Sequence, residues 1–144
     1  MLEVKFYDNV ADSKLKFAVI ASKSNGRWVF CKHKERTTYE FPGGHRENGE
    51  SILETAEREL YEETGALEYG IRPVCVYSVT GKTRVNETGK ETFGMLYYAD
   101  IEKFDPDLHS EIEKIVLTDT LPGSWTYPEI QPILLDKVIN VINL

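Results

Sequence analysis

One 24-residue segment constrains this chain more than any other part of it. Gly43-Gly-His-Arg-Glu-Asn-Gly-Glu-Ser-Ile-Leu-Glu-Thr-Ala-Glu-Arg-Glu-Leu-Tyr-Glu-Glu-Thr-Gly-Ala66 holds seven glutamates. Ser51 and Glu54 stand at capping-box spacing and Gly65 where a helix stops, which predicts a helix from about Ser51 to Thr64. At about 100° per residue, Leu53, Ala56 and Leu60 share an arc that should face a sheet. Glu59, Glu62 and Glu63 share the neighbouring arc at i, i+3 and i+4, so their carboxylates are expected to converge. Glu54 and Arg58, four residues apart, are expected to pair on a further face.

Three carboxylates side by side are unfavourable unless positive charge lies between them, and Mg²⁺ or Mn²⁺ prefers such oxygen ligands. A solvated acidic helix face would have the same composition. Two features count against that plainer reading. The acidic arc abuts the apolar arc, so it lies at the lip of a core. A Gly-Gly pair also precedes the helix, where backbone and ligand can approach closely.

The rest of the chain supplies a scaffold. Val4–Tyr7, Leu15–Ala21, Trp28–Lys32, Ile71–Val79, Thr92–Ile101 and Lys114–Leu117 read as strands, and Ser24-Asn25-Gly26 as a hairpin turn. Thr80–Lys90 reads as a loop or a mobile hairpin. A second helix is expected from Pro128 to about Asn140, with Ile130, Ile133, Leu134, Val138 and Val141 as its apolar stripe. Strands with one helix in the middle and another at the end imply an α/β sandwich, and 144 residues fit a single domain over 1–144.

Charge narrows the partners. Seventeen basic against 24 acidic residues leave a net charge of -7, which disfavours general nucleic-acid binding. A polyphosphate can still bind through a bridging cation. No apolar run reaches the roughly 18 residues of a membrane span, and the N-terminal residues resemble no signal peptide. With only two isolated cysteines, Cys31 and Cys75, the expectation is a cytoplasmic protein without a disulfide framework. Monomer and homodimer both remain open.

The acidic segment resembles the Nudix signature G-x5-E-x7-R-E-U-x-E-E-x-G-U, where U is bulky and aliphatic. Gly44, Glu50, Arg58, Glu59, Leu60, Glu62, Glu63 and Gly65 stand at the required spacings, and Ala66 occupies the last position as a smaller apolar residue. Upstream, Tyr39-Glu-Phe-Pro-Gly-Gly44 is similar to the approach to such a box. The resemblance implies an α/β/α sandwich with a mixed sheet. It implies that Glu59, Glu62, Glu63 and the Gly44 carbonyl hold Mg²⁺, with Mn²⁺ as the alternative. Glu50 and Arg58 would brace the carboxylates and Gly65 would close the helix.

The resemblance implies hydrolysis of a nucleoside diphosphate linked to another group, with a carboxylate as general base or a metal-bound hydroxide doing most of that work. Glu62 or Glu59 is the candidate within the box. A later loop offers Glu111, preferred over Glu113, although both also fit a solvent-facing role. Cys31-Lys-His-Lys-Glu-Arg36 is the densest basic patch, and Arg36, Lys34 or Lys32 could meet a phosphate tail there. His45 and Arg46 receive no catalytic role.

Substrate signals lie outside the box. The proline that many ADP-ribose hydrolases carry about fifteen residues past it is replaced by Gly81. Lys32-His-Lys-Glu-Arg36 with Phe41-Pro-Gly-Gly-His-Arg-Glu47 resembles a bacterial MutT-like nucleoside triphosphatase subgroup linked to oxidised purine nucleotides. The resemblance thus implies a small nucleotide substrate, ordinary or oxidised (8-oxo-dGTP, for example), cut to monophosphate and pyrophosphate. The alternatives are another nucleoside-diphosphate compound (a dinucleoside polyphosphate, ADP-ribose or an RNA 5′ end) or a nucleotide sensor without turnover. Trp28, Phe30, Phe41, Tyr77, Tyr97, Trp125 and Tyr127 supply aromatic walls for core or pocket. Trp125 is singled out for substrate because Leu121-Pro-Gly-Ser-Trp125 reads as a loop before the last helix.

Overall fold

The computed structural model describes residues 2–83, 87–107 and 112–142, with the side chains of 112–114 excepted. Seven strands form one sheet: β1 (Glu3–Tyr7), β2 (Leu15–Ser24), β3 (Arg27–His33), β4 (Gly43–His45), β5 (Ala66–Thr80), β6 (Thr92–Phe104) and β7 (Ile112–Thr118). Their order is β1-β5-β6-β2-β3-β7, with β4 added beside β2. β2 and β6 run parallel and the other pairings are antiparallel, so the sheet is mixed. The β2–β3 turn is the predicted one: Asn25 and Gly26 have φ of 52° and 78°, the left-handed pair a two-residue hairpin needs.

Alternation along the strands builds two cores. Ala18, Ile20, Val29, Val76, Tyr97 and Ala99 face α1 (Ile52–Thr64), meeting Ile52, Ala56 and Leu60. Ala21, Phe30, Tyr77 and Leu96 face the opposite way, toward Leu134, Leu135 and Val138 of α2 (Gln131–Ile142). One helix on each face makes an α/β/α sandwich. None of the described helices is long and apolar enough to cross a membrane.

A fork in the sheet positions the glycine pair. One edge of β2 pairs with β6, while the other is shared between β4 at Phe17–Val19 and β3 at Ser22–Ser24. Residues 40–42 bridge the gap: Cys31 and Glu40 exchange backbone hydrogen bonds, and the Ile20 N–H donates to the Pro42 carbonyl at 2.9 Å. β4 then lies so close to β2 that a Cβ on Gly43 would sit 2.4 Å from the Ala18 carbonyl oxygen.

Several boundaries differ from expectation. β5 begins at Ala66 rather than Ile71, because it pairs with β6 as far back as Ala66–Phe104. Pro73 is tolerated because β1 stops at the Tyr7–Val76 pair, leaving that stretch of β5 an edge. β4 is a strand the sequence did not suggest, since three residues carry no readable alternation. α1 faces the sheet with Ile52, Thr55, Ala56 and Leu60, and Leu53 is 42% exposed. α2 starts at Gln131, with Pro132 in its first turn, and residues 127–130 form a separate turn. Two prolines four residues apart suit a first helical turn equally, and the chain uses the second. The buried face of α2 is accordingly Gln131, Leu134, Leu135 and Val138, while Ile133 and Val141 are exposed.

Candidate active site

Local folding of the acidic segment starts at its cap. The Ser51 hydroxyl accepts from the Glu54 N–H at 3.0 Å and the Glu54 carboxylate accepts from the Ser51 N–H at 2.8 Å. Gly65 closes the helix with φ of 78°, a conformation that disfavours side chains. Glu54 is spent in this cap, so the expected Glu54–Arg58 pair does not form.

Arg58 turns instead toward the loop and the site. Its Nε donates to Glu50 at 2.6 Å, its Nη2 to the His45 carbonyl at 2.9 Å, and its Nη1 to Glu59 and, at 3.3 Å, to Glu62. Glu50 also accepts from the Glu47 N–H and the Thr55 hydroxyl. The guanidinium and these donors hold the Glu50 carboxyl at about 2, well below the ordinary carboxylate range. Arg46, given no role from sequence, clasps the same loop: it donates to the Glu50, Asp12 and Leu15 carbonyls and pairs with the Asp12 carboxylate at 2.9 Å.

The three box carboxylates share the C-terminal half of α1 but turn to nearby donors rather than gathering tightly. Glu59 and Glu62 share Arg58 Nη1. Glu63 accepts from the Gly43 N–H at 2.7 Å and lies 3.1 Å from His33 Nε2. Glu62 is the open one, its side chain 49% exposed against 14% for Glu59 and 10% for Glu63. Among the described residues, no three His, Cys, Asp or Glu side chains are gathered tightly enough to hold a metal as they stand. Like charges separate toward whatever donors are near, which the wheel, counting only spacing, did not include.

The donor set nonetheless fits a hard divalent cation. Burial first, and then the charge of Glu63, push the Glu59 carboxyl up to about 7 despite Arg58. A Cβ on Gly44 would sit 2.5 Å from a Glu59 carboxylate oxygen, so any other residue there would displace that carboxylate. Oxygen-only ligands in an anionic corner are the chemistry Mg²⁺ and Mn²⁺ favour.

A cavity of about 230 Å³ opens beside these groups. His33, Arg36, Glu40, Gly43, Gly44 and Glu63 give it a polar lining, and Phe17, Val19, Phe41, Tyr77, Val79 and Ile130 an apolar one. Tyr77 lies across the sheet where its register partner is Gly94; a Cβ there would meet the ring at 2.7 Å. Burial raises the Tyr77 hydroxyl well above its usual range. Arg36 lines the cavity but bonds Glu40 at 2.8 Å. Burial, then Glu63, raises the Glu40 carboxyl, and the hydrogen bond to Glu63 raises His33.

Other expected residues lie elsewhere. Lys34 is exposed, and neither it nor Lys32 lines the cavity. Trp125 packs edge-on against Phe30 and Phe41, at 5.3 and 6.0 Å, behind the wall; Tyr127 and Gln131 line the cavity from that segment. Glu111 lies outside the described residues, and Glu113 falls in β7. His33, Glu40 and Gln131 were missed. For His33 the signal was present: Val29 and Cys31 alternate with Trp28 and Phe30, which places His33 on the strand face toward α1.

Comparison with known proteins agrees with this architecture. The family model described as NUDIX domain matches residues 12–125. A Bacillus subtilis (strain 168) protein named "Putative 8-oxo-dGTP diphosphatase YtkD" is 33% identical over 122 residues, which is 84% of this chain and 73% of that protein. The crystal structure of the Bacillus subtilis pyrophosphohydrolase BsRppH (E68A mutant) is 30% identical, covers 96% of this chain and 90% of its own, and superposes with a TM-score of 0.77. An ADP-ribose pyrophosphatase structure from Streptococcus suis shares the fold at 16% identity, covering 89% of this chain and 91% of its own, with a TM-score of 0.61.

Proposed function

The chain belongs to the NUDIX domain family, and from that premise we propose that it is a Mg²⁺-dependent pyrophosphohydrolase that cuts a nucleoside triphosphate to the monophosphate and pyrophosphate. The observation that carries the reading is the mixed lining of the cavity. Phe41 and Tyr77 offer flat apolar walls to a base, and Glu63 and Gly44 of the acidic segment line the same cavity, so one nucleotide can meet both. Oxidised purine nucleotides are included among the substrates, a choice supported by the loop resemblance around Lys32–Glu47 and by the named relative.

In this reading Glu59, Glu62, Glu63 and the Gly44 carbonyl hold Mg²⁺ or Mn²⁺. Bound there, the cation supplies charge neutralisation at the phosphate oxygens. The protein's own groups do the rest. Gly43 N–H and His33 aim Glu63, Arg58 aims Glu59, and Glu50 and Arg46 fix the loop that carries them. Glu62 is the most open of the three carboxylates and takes the proton of the attacking water. Arg36, reorienting from Glu40, offers a guanidinium to the phosphate tail. Glu111 is retained as the alternative base.

The test is release of pyrophosphate and phosphate with Mg²⁺ or Mn²⁺ from dGTP, 8-oxo-dGTP, the other triphosphates, ADP-ribose, diadenosine tetraphosphate and a 5′-triphosphorylated oligonucleotide. Pyrophosphate from a free triphosphate is the expected result. Turnover of the linked compounds alone would overturn the substrate assignment, and silence across the panel would favour a nucleotide sensor.

A further inference from the structure

β5 is covered along only half its length. β1 pairs with it from Val76 to Thr80 and stops there, so residues 66–74 have β6 on one side and, among the described residues, no strand on the other. Leu67, Glu68, Gly70, Arg72 and Pro73 are exposed along that stretch. An unpaired edge of this kind presents a row of backbone donors and acceptors to a further strand.

The side chains on this edge complement a second copy of themselves. The residues that interrupt the pairing with β6 are Leu67 and Val74 in β5 and Glu102 in β6, so β5 alternates regularly from Glu68 to Pro73. Tyr69 and Ile71 pack toward the α1 core, which leaves Glu68, Gly70 and Arg72 together on the other face. If two copies are laid antiparallel with Gly70 at the two-fold axis, Glu68 stands opposite Arg72 twice and Tyr69 opposite Ile71 twice. Opposite charges and aromatic–β-branched pairs are both favourable cross-strand neighbours. A shift of one residue in either direction loses both kinds of pair. Gly70 itself needs no glycine within its own chain: its φ is not positive, and a Cβ there would meet nothing within 4 Å. Glycine in a strand also marks a place where another backbone approaches closely.

The flank beside the edge is apolar. Leu53, Glu57 and Tyr61 form one stripe of α1 at i, i+4 and i+8, and the Tyr69 hydroxyl donates to Glu57 at 3.0 Å, which sets that stripe along β5. Leu53, Tyr61 and Leu67 are all exposed. A two-fold axis perpendicular to the sheet keeps both α1 helices on the same face, so the two stripes border one interface. We propose that a second copy of this chain occupies the free edge, pairing antiparallel over residues 68–72 and joining two seven-stranded sheets into one. The dimer does not depend on the reaction proposed above, since no residue of 66–74 lines the cavity.

Sedimentation equilibrium of the full chain, from micromolar to millimolar concentration, tests this without requiring turnover. The wild type is expected to approach twice its mass of 16.5 kDa as concentration rises. Glu68→Arg and Arg72→Glu each set like charges opposite one another at both pairs, and each should raise the dimer Kd about tenfold or more. An equimolar mixture of the two variants puts two arginines of one chain against two glutamates of the other, and should associate as tightly as the wild type. The double variant with both charges exchanged should do the same. Both side chains are exposed, so the substitutions leave the core untouched. A wild type that stays monomeric throughout would leave the edge to a strand from another protein and overturn the proposal. A dimer indifferent to both reversals would place the contact elsewhere and overturn it too. A mixture no tighter than either variant alone would overturn the register.

Discussion

The two helices of the sandwich bury opposite kinds of face. α2 presents Leu134, Leu135 and Val138 to the sheet, with Gln131 as the one polar group at its start. α1 presents Ile52, Ala56 and Leu60, but its last turns also bury Glu63 and half-bury Glu59. A carboxylate taken out of water next to another is costly, and Arg58, His33 and the Gly43 N–H offset only part of that cost. α2 is therefore a helix arranged for packing. α1 gives up some packing to seat carboxylates beside the cavity.

The contrast breaks most visibly at the carboxylates. Glu63→Gln should lower the hydrolysis rate by about a hundredfold or more, the scale for losing one placed electrostatic group at a reaction centre. It should lower the thermal midpoint little, since a neutral amide can still accept from the Gly43 N–H and no longer repels Glu59. Removing divalent cations with EDTA should abolish turnover, and added Mg²⁺ should restore it. A Glu63→Gln protein with normal rates, or an enzyme indifferent to EDTA, would contradict the division.

On the other face the effect should reverse. Leu134 is 1% exposed, and Leu134→Ala should cost about 2–4 kcal/mol in denaturant unfolding while leaving the rate per folded molecule nearly unchanged. Between these extremes stands Arg58, which touches both the loop and the ligands. Arg58→Met should weaken Mn²⁺ binding by about ten- to a hundredfold, and calorimetry would read this without any substrate.

The smallest effects belong to the loop and the cap. Glu50 is held at about 2 when folded, below its ordinary value when unfolded. A depressed folded pKa adds stability that is complete above the ordinary carboxylate range and disappears as pH falls through about 2. The stability gap between wild type and Glu50→Gln should therefore close as pH is lowered across that window. A gap that stays constant with pH would show that the Glu50 charge contributes nothing. Ser51→Ala should cost about 1 kcal/mol through the lost cap.

The legible parts of the molecule were those where local rules and spacing suffice. Ser51, Glu54 and Gly65 delimit α1 by backbone chemistry alone, and Asn25-Gly26 delimits its hairpin in the same way. Tertiary context governed what was missed. Leu53 and Ile52 differ by one step around the helix, and only the sheet decides which is covered. The two prolines at 128 and 132 were equivalent until the turn at 127–130 used the first. The loop partners of Arg58 could not be read from helix spacing, because Glu50 and the His45 carbonyl reach it from outside the helix. Trp125, expected at the substrate, backs the wall for a similar reason: which residue lines it depends on packing against Phe41.

The most direct test of the central claim is ³¹P NMR of GTP incubated with Mg²⁺ and either the wild-type chain or Glu59→Gln. The account predicts GMP and pyrophosphate appearing together as GTP disappears with the wild type, and little or no change with the variant. GDP with inorganic phosphate, or equal turnover by the two proteins, would contradict it.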